Sequence, residues 1–363
     1  MIFSSNYNGH HARDLASGFC LNGVEIAFIS LSNPIIPPWI DQIHKKDFSN
    51  EFKKKQSLFR KIHTTISLCR RYKPDLIQTH LFIGGIVGLV AGKFLRIPVI
   101  HTRHHIDEHY QSGTFVHRWI DRTVAKKAEH VVVCSAAAKK WLVEVEGVED
   151  SHISIINQGF DFDFLNPSQE AIDQARKNLN FSPDNINIIC VARYSRVKGQ
   201  DFLLLALKEL INEIPNITLT FMGPGDSSWL FDMVNELELS NSVRILSSRD
   251  DVPACIAASD IIVHPSLADS FSQLVIEAQA CGGLLIASDI AAVREQIIDG
   301  VTGFIVPPRD STSIENAIRY VIKNPKICEK IKRRAFLHVR EKFTWQRMIQ
   351  EEIDTIYKVL EKF

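Results

Sequence analysis

The sequence predicts an α/β protein built from two facing, Rossmann-like, doubly wound domains, and three observations carry that reading. Short β-type runs alternate with amphipathic helical stretches along the chain, the pattern of parallel sheets covered by helices. The scheme occurs twice. Between the two occurrences the run NQGFDFDFLNP, 157–167, breaks the periodicity with Gly, Asx and Pro. A chain of 363 residues that is 45% hydrophobic and 23% charged is long enough to bury two cores of ordinary size.

In the first half, strands are expected at 25–30 (EIAFIS), 76–79, 99–102 and 130–134, with helices between them. The opening MIFSSNYNGHHA leaves only about four residues for a first strand before its loop. The second half repeats the scheme at 186–192 (INIICVA), 217–222, 243–246, 261–264, 284–287 and 304–306. FTWQRMIQEEIDTIYKVLEKF closes the chain as one more helix. The expected domains are 1–160 and 161–340, with a terminal helix at 341–363 packing back toward the first. Two such domains bind ligand in a deep cleft at the C-terminal edges of their strands, so chemistry is sought just after strands.

Composition excludes several classes. Net charge is zero, which gives no overall argument for a nucleic-acid partner. The seven cysteines are scattered, mostly within apolar runs, and contain no Cys-x-x-Cys pair, as expected of reduced thiols in a cytoplasmic protein. The longest apolar run, 81–92, is shorter than the roughly 20 residues of a membrane span, and no basic-then-apolar leader opens the sequence.

DSFSQLVIE places a carboxylate, Asp269, at its start and another, Glu277, at its end. If Ser270 begins the helix after strand DIIVH, its free amides form an anion site suited to phosphate. Glu277 then lies about two turns, or ~10 Å, along the same face, where a carboxylate accepts hydrogen bonds from ribose hydroxyls. Asp269 faces what hangs from the distal phosphate, and a sugar fits. The competing reading makes Asp269 an N-cap and Glu277 a solvated helix residue. VARYSRVKG follows INIIC and puts Arg193 and Lys198 around one βα turn. Two fixed cations there neutralise a departing diphosphate without a metal, unless they are ordinary surface basics.

The run from Arg193 to Gly199, GPG at 223–225, DDVPACIAASDIIVHPSLADSFSQLVIEAQACGGLLIAS and EQIIDGVTGFIVPP together resemble the donor domain of family 4 (group 1) retaining glycosyltransferases of GT-B fold. The likeness extends through nearly the whole chain, including the 157–167 junction and the terminal helix. It implies that Arg193 and Lys198 are the phosphate-binding pair and that Asp269 and Glu277 are the family's two acids separated by seven residues. The first acid is usually Glu, so Asp269 is one methylene shorter. Gly223, Ser270, Phe271 and Ser272 match donor-binding segments, Ser272 standing where Gly is usual. Leu284 stands where Pro is frequent and Ala292 where Gly is frequent. His104, six residues beyond Pro98, matches an active-site histidine expected to contact the donor sugar, with His105 as the alternative register. Gly9 matches the glycine of the loop before the first helix.

The resemblance implies transfer of a sugar, with retention, from a UDP- or GDP-sugar to an acceptor hydroxyl. A glycan or lipid-linked acceptor in bacterial cell-envelope, lipopolysaccharide or polysaccharide synthesis is expected, with no cofactor and no metal. A catalytically inactive nucleotide-sugar-binding module and a GT-B-like epimerase or phosphorylase are the alternatives. HIDEH, at His105 to His109, fits the H-x-x-E-H zinc pattern but follows a strand and reads as a loop. Asp161 and Asp163 imitate metal-binding acids within a junction turn. The basic, amphipathic stretch from Phe52 to Lys73 either packs on the core with a solvated basic face or lies on the inner face of the cytoplasmic membrane.

Overall fold

The structure, a computed structural model, describes residues 2–4, 10–31, 46–47, 56–104 and 114–363. The chain divides into two units, Met1–Phe160 with Trp345–Phe363, and Asp161–Thr344.

The first unit holds a parallel sheet of β1 (Ile2–Ser4), β2 (Ala27–Ser30), β3 (Lys46–Asp47), β4 (Ile77–His80), β5 (Val99–Arg103), β6 (His130–Val133) and β7 (Ile153–Ile155), in the order β3-β2-β1-β4-β5-β6-β7. Every residue of β4, β5 and β6 is buried, as strands covered on both faces require. The apolar helix Leu81–Leu95 lies directly on this sheet. A Cβ added at Gly88 would come within 2.1 Å of Thr79, and one at Gly92 within 2.3 Å of Val99, so glycine sets how closely helix and sheet approach. Among the described residues no helix is long and apolar enough to cross a membrane. The last helix, Trp345–Lys362, belongs to this unit and buries Met348, Ile349, Ile353, Ile356 and Val359 in one cluster with Leu15, Phe19, Ile26 and Phe28.

The second unit has six parallel strands, β8 (Ile186–Val191), β9 (Ile217–Met222), β10 (Val243–Leu246), β11 (Ile261–His264), β12 (Leu285–Ser288) and β13 (Phe304–Val306), ordered β10-β9-β8-β11-β12-β13. Alternation along these strands builds two cores: Ile188, Cys190, Ile261 and Val263 enter one cluster, while Ile189 and Ile262 enter the other. Strand order reverses between β8 and β11, which pair through Ile261 with Ile188 and Ile262 with Ile189. That reversal is the topological switch point, where open α/β sheets place their ligands.

The structure also departs from expectation. β3 and β7 were not read from the sequence. β7 is a three-residue edge strand whose Ile155 is exposed, so it lacks the continuous apolar run that marks its neighbours. β2 begins at Ala27 rather than 25, and β12 is shifted one residue along to Leu285–Ser288. The seven cysteines form no disulfide.

Candidate active site

In the second unit, two loops leave the sheet on either side of the switch point and are tied together. The loop after β8 carries Arg193, then a short 3₁₀ turn, Arg196–Lys198, before the helix Gln200–Glu213. Lys198 therefore sits ahead of the helix, not inside its first turn. Gly199 takes φ +64°, and a Cβ there would lie 2.0 Å from the Pro265 carbonyl oxygen in the loop after β11. The Leu267 amide donates to Val197 O at 2.8 Å, a second tie between the loops. Gly223, at the end of β9, approaches just as closely: an added Cβ would lie 2.0 Å from Ala192 O. Gln200 is fully buried, with its Nε2 donating to Arg193 O at 3.3 Å and its Oε1 accepting from Ser195 N at 3.4 Å. These contacts fix the backbone that bears Arg193, whose side chain is exposed.

Lys198 and Asp269 meet. Lys198 Nζ is 2.7 Å from Asp269 Oδ1, and the second carboxylate oxygen, Oδ2, is 3.0 Å from His264 Nε2. Burial pushes the Asp269 carboxyl up, but the hydrogen bond and electrostatic pull of His264, then of Lys198, outweigh it and hold the group at about 2. Asp269 is a carboxylate at any physiological pH.

The helix that follows begins later than the sequence suggested. It spans Gln273–Ala280, with Ser272 at its N-cap and Ser270 and Phe271 in a bend before it. The amides of the segment are not all open to an anion: Ser272 N donates to Gln296 Oε1 at 3.3 Å, and Gln296 Nε2 donates back to Ser272 O at 3.0 Å. The buried Gln296 thus matches both backbone groups of Ser272. Phe271 packs edge-on against Phe343, ring centroids 6.0 Å apart. Glu277 lies one turn into the helix, and burial alone raises its carboxyl from 4.5 to about 7. No cation or side-chain donor among the described residues reaches it. A carboxylate left without a partner among the described residues can accept hydrogen bonds from a ligand's hydroxyls.

In the first unit, His104 follows β5 and its Nε2 is 3.0 Å from Nδ1 of His80, the last residue of β4, the rings being stacked at 5.3 Å. Arg103, just before it, is buried against Glu146 Oε2 at 2.7 Å and Asp121 Oδ2 at 3.6 Å, which anchors the strand end that presents His104. Gly9 and the HIDEH stretch, 105–109, lie outside the described residues. Asp161 accepts from the Asp163 amide at 3.1 Å, an Asx turn at the start of the second unit.

The structure brings together Arg193, Lys198, Asp269, Ser270, Phe271, Ser272 and Gly223 around one sheet edge of the second unit, with Glu277 a turn into the adjoining helix. Sequence reasoning missed His80, Gln200, His264 and Gln296. The one local signal was for His264, a histidine closing the apolar strand IIVH. Gln296 acts on the backbone of Ser272, 24 residues away, and Gln200 folds back on its own loop, neither of which a local pattern reveals.

Residues 171–338 match the family of glycosyl transferases group 1, and residues 9–164 match Glycosyltransferase Family 4. D-inositol 3-phosphate glycosyltransferase of Gordonia bronchialis is 24% identical over 311 residues, covering 80% of this chain and 67% of that protein. The enzyme of the same name from Mycobacterium sp. (strain JLS) is 27% identical over 252 residues, covering 65% and 56%. The matched region thus spans 56% to 67% of the length of these relatives. Among solved structures, Anabaena Alr3699/HepE in complex with UDP-glucose superposes with a TM-score of 0.85 at 22% identity, covering 98% of this chain and 99% of that one.

Proposed function

Because the chain belongs to the family 4, group 1 glycosyltransferases and has the GT-B fold, we propose that it transfers a sugar, with retention, from a nucleotide-diphosphate sugar to an acceptor hydroxyl. The observation that carries the reading is the Lys198–Asp269 pair at the switch point of the second unit, with Glu277 left unpartnered among the described residues. Arg193 and Lys198 neutralise the departing diphosphate, Asp269 accepts from the sugar hydroxyls, and Glu277 accepts from the ribose. In the first unit His104 is assigned to the same reaction.

The bond from the anomeric carbon to the phosphate oxygen breaks through an oxocarbenium-like state. The acceptor oxygen bonds on the same face, and its proton passes to the leaving phosphate. This route asks of the chain only a cationic clamp and alignment, which the residues supply. UDP is the favoured nucleotide, since the similar HepE structures were obtained with UDP and UDP-glucose. No cofactor or metal is assigned, and the acceptor is a glycan or lipid-linked glycan of the bacterial envelope. The helix Leu58–Tyr72 supports a peripheral place on the inner face of the cytoplasmic membrane. It exposes Phe59 beside Arg60, and its Arg70 lies 5.4 Å over the ring of the exposed Phe94.

The test is thermal stabilisation of the purified protein by UDP-, GDP- and ADP-sugars, followed by sugar transfer with the best donor in the presence of EDTA. A ligand at 100 times its dissociation constant adds about 2.7 kcal/mol. Stabilisation by one nucleotide series with EDTA-resistant transfer supports the proposal; no stabilisation by any of them refutes it.

A further inference from the structure

His264 closes β11, a strand whose other residues are Ile261, Ile262 and Val263, and is only 3% exposed. A histidine kept merely to fill that core would be an expensive filler. Its Nδ1 is buried with no hydrogen-bond partner among the described residues, a destabilising defect that an aliphatic side chain would avoid. What the imidazole gains lies on its other nitrogen. Nε2 is 3.0 Å from Asp269 Oδ2 and 3.0 Å from Ser272 Oγ, and since a carboxylate only accepts, Nε2 carries the hydrogen.

Asp269 therefore has two anchors, one on each oxygen: Lys198 on Oδ1 and His264 on Oδ2. They are not equivalent under the proposed function, on which this inference rests. Lys198 is mobile by nature, a flexible ammonium that a diphosphate attracts. His264 is rigid, set in a strand and packed on all sides. When donor arrives, its phosphates compete with Asp269 for the Lys198 ammonium. We infer that His264 is the positioning residue for Asp269, holding its carboxylate in place while Lys198 changes partner from Asp269 to the donor diphosphate. Ser272 Oγ shares the same Nε2 and ties this anchor to the N-cap of the helix bearing Glu277.

His264→Leu removes the anchor and keeps the volume apolar; His264→Gln offers an amide N–H in place of Nε2–H. The experiment measures kcat, donor KM, UDP affinity and melting temperature of both, alone and with Asp269→Asn, together with the titration of the Asp269 carboxyl in ligand-free protein by ¹³C NMR. A displaced catalytic carboxylate costs on the order of 100-fold in kcat. His264→Leu is expected to lose about that much, with UDP affinity within about twofold of wild type because Lys198 is untouched. His264→Gln should recover most of the loss. In the Asp269→Asn background His264→Leu should cost about twofold or less, since two residues acting through one contact are not additive. The Asp269 carboxyl should rise from about 2 by at least about one pH unit in His264→Leu, burial being no longer opposed by that contact.

Normal kcat in His264→Leu overturns the inference. So does a fall in kcat that His264→Gln does not rescue and that tracks melting temperature and UDP affinity, for that is a structural role. A wild-type chain that transfers no sugar from any donor overturns the proposed function and the handover with it. An unchanged Asp269 titration in an active His264→Leu enzyme overturns the handover alone.

Discussion

Replacing Glu277 by Gln should stabilise the empty protein and weaken its grip on nucleotide, two effects of opposite sign from one atom exchange. The folded carboxyl keeps its proton to about 7, against an ordinary 4.5, because burial opposes its charge and no cation among the described residues relieves it. At about 1.4 kcal/mol per pH unit, ionising it in the folded state costs up to about 3 kcal/mol. The side chain is partly accessible, so screening by water brings the expected figure to about 1–2 kcal/mol. Below pH 4.5 folded and unfolded chains are both protonated here and the group is neutral to stability. Between 4.5 and about 7 the unfolded chain has lost a proton that the folded one keeps, so wild-type stability falls as pH rises. Above about 7 the full penalty is present, and Gln never incurs it.

Scanning fluorimetry should show Glu277→Gln melting several degrees above wild type at pH 8, at about 2–4 °C per kcal/mol for a unit of this size, with no difference at pH 4.5. UDP-glucose should reverse the order. Wild-type affinity for it, a donor fully ionised over this range, should rise with pH through about 7 as the ribose meets a carboxylate, while the variant's affinity stays flat and lower. A variant less stable than wild type at pH 8, or one with unchanged donor affinity, refutes the reasoning.

Three further expectations can be checked alongside it. Arg193→Ala and Lys198→Ala should each lower turnover by about two to three orders of magnitude, the scale for removing a stabiliser of transition-state charge, and stopped assays will read it. Gly199→Ala puts a Cβ against backbone 2.0 Å away at φ +64°, so it should lower both melting temperature and UDP affinity, whereas Gly300→Ala, at φ +67° with nothing within 4 Å, should lower melting temperature far less and leave UDP affinity intact. Glu352, fully buried on the last helix and held at about 7 by burial against the Gln78 Nε2 hydrogen bond, should give Glu352→Gln the same pH-dependent gain in melting temperature. That variant should leave UDP-glucose affinity unchanged, which makes it the control for Glu277.

Much of the fold was legible because parallel strands covered on both faces are largely apolar, and INIICV, ITLTFM and IIVH announce themselves. β7 was not, since an edge strand of three residues with one exposed isoleucine has too little apolar sequence to mark it. In the candidate site, charge and position after strands located Arg193, Lys198, Asp269 and Glu277. Their arrangement was beyond reach. Nothing local says that Lys198 and Asp269, 71 residues apart, share a 2.7 Å contact, or that Gln296 would occupy the Ser272 amide. The start of the helix was misjudged because Asp269 is as acceptable an N-cap by type as Ser272, whose backbone is instead held by Gln296, a tertiary partner.

The division of labour between the two acids is tested most directly by isothermal titration of Asp269→Asn and Glu277→Gln with UDP and with UDP-glucose. Glu277→Gln should weaken both ligands alike, by about 1–3 kcal/mol, because the ribose is common to them. Asp269→Asn should weaken only the sugar-bearing ligand. Its UDP affinity should be unchanged or tighter, since Lys198 no longer has to leave a carboxylate 2.7 Å away to reach phosphate. Equal losses of UDP affinity in the two variants would contradict the assignment of Asp269 to the sugar and Glu277 to the ribose.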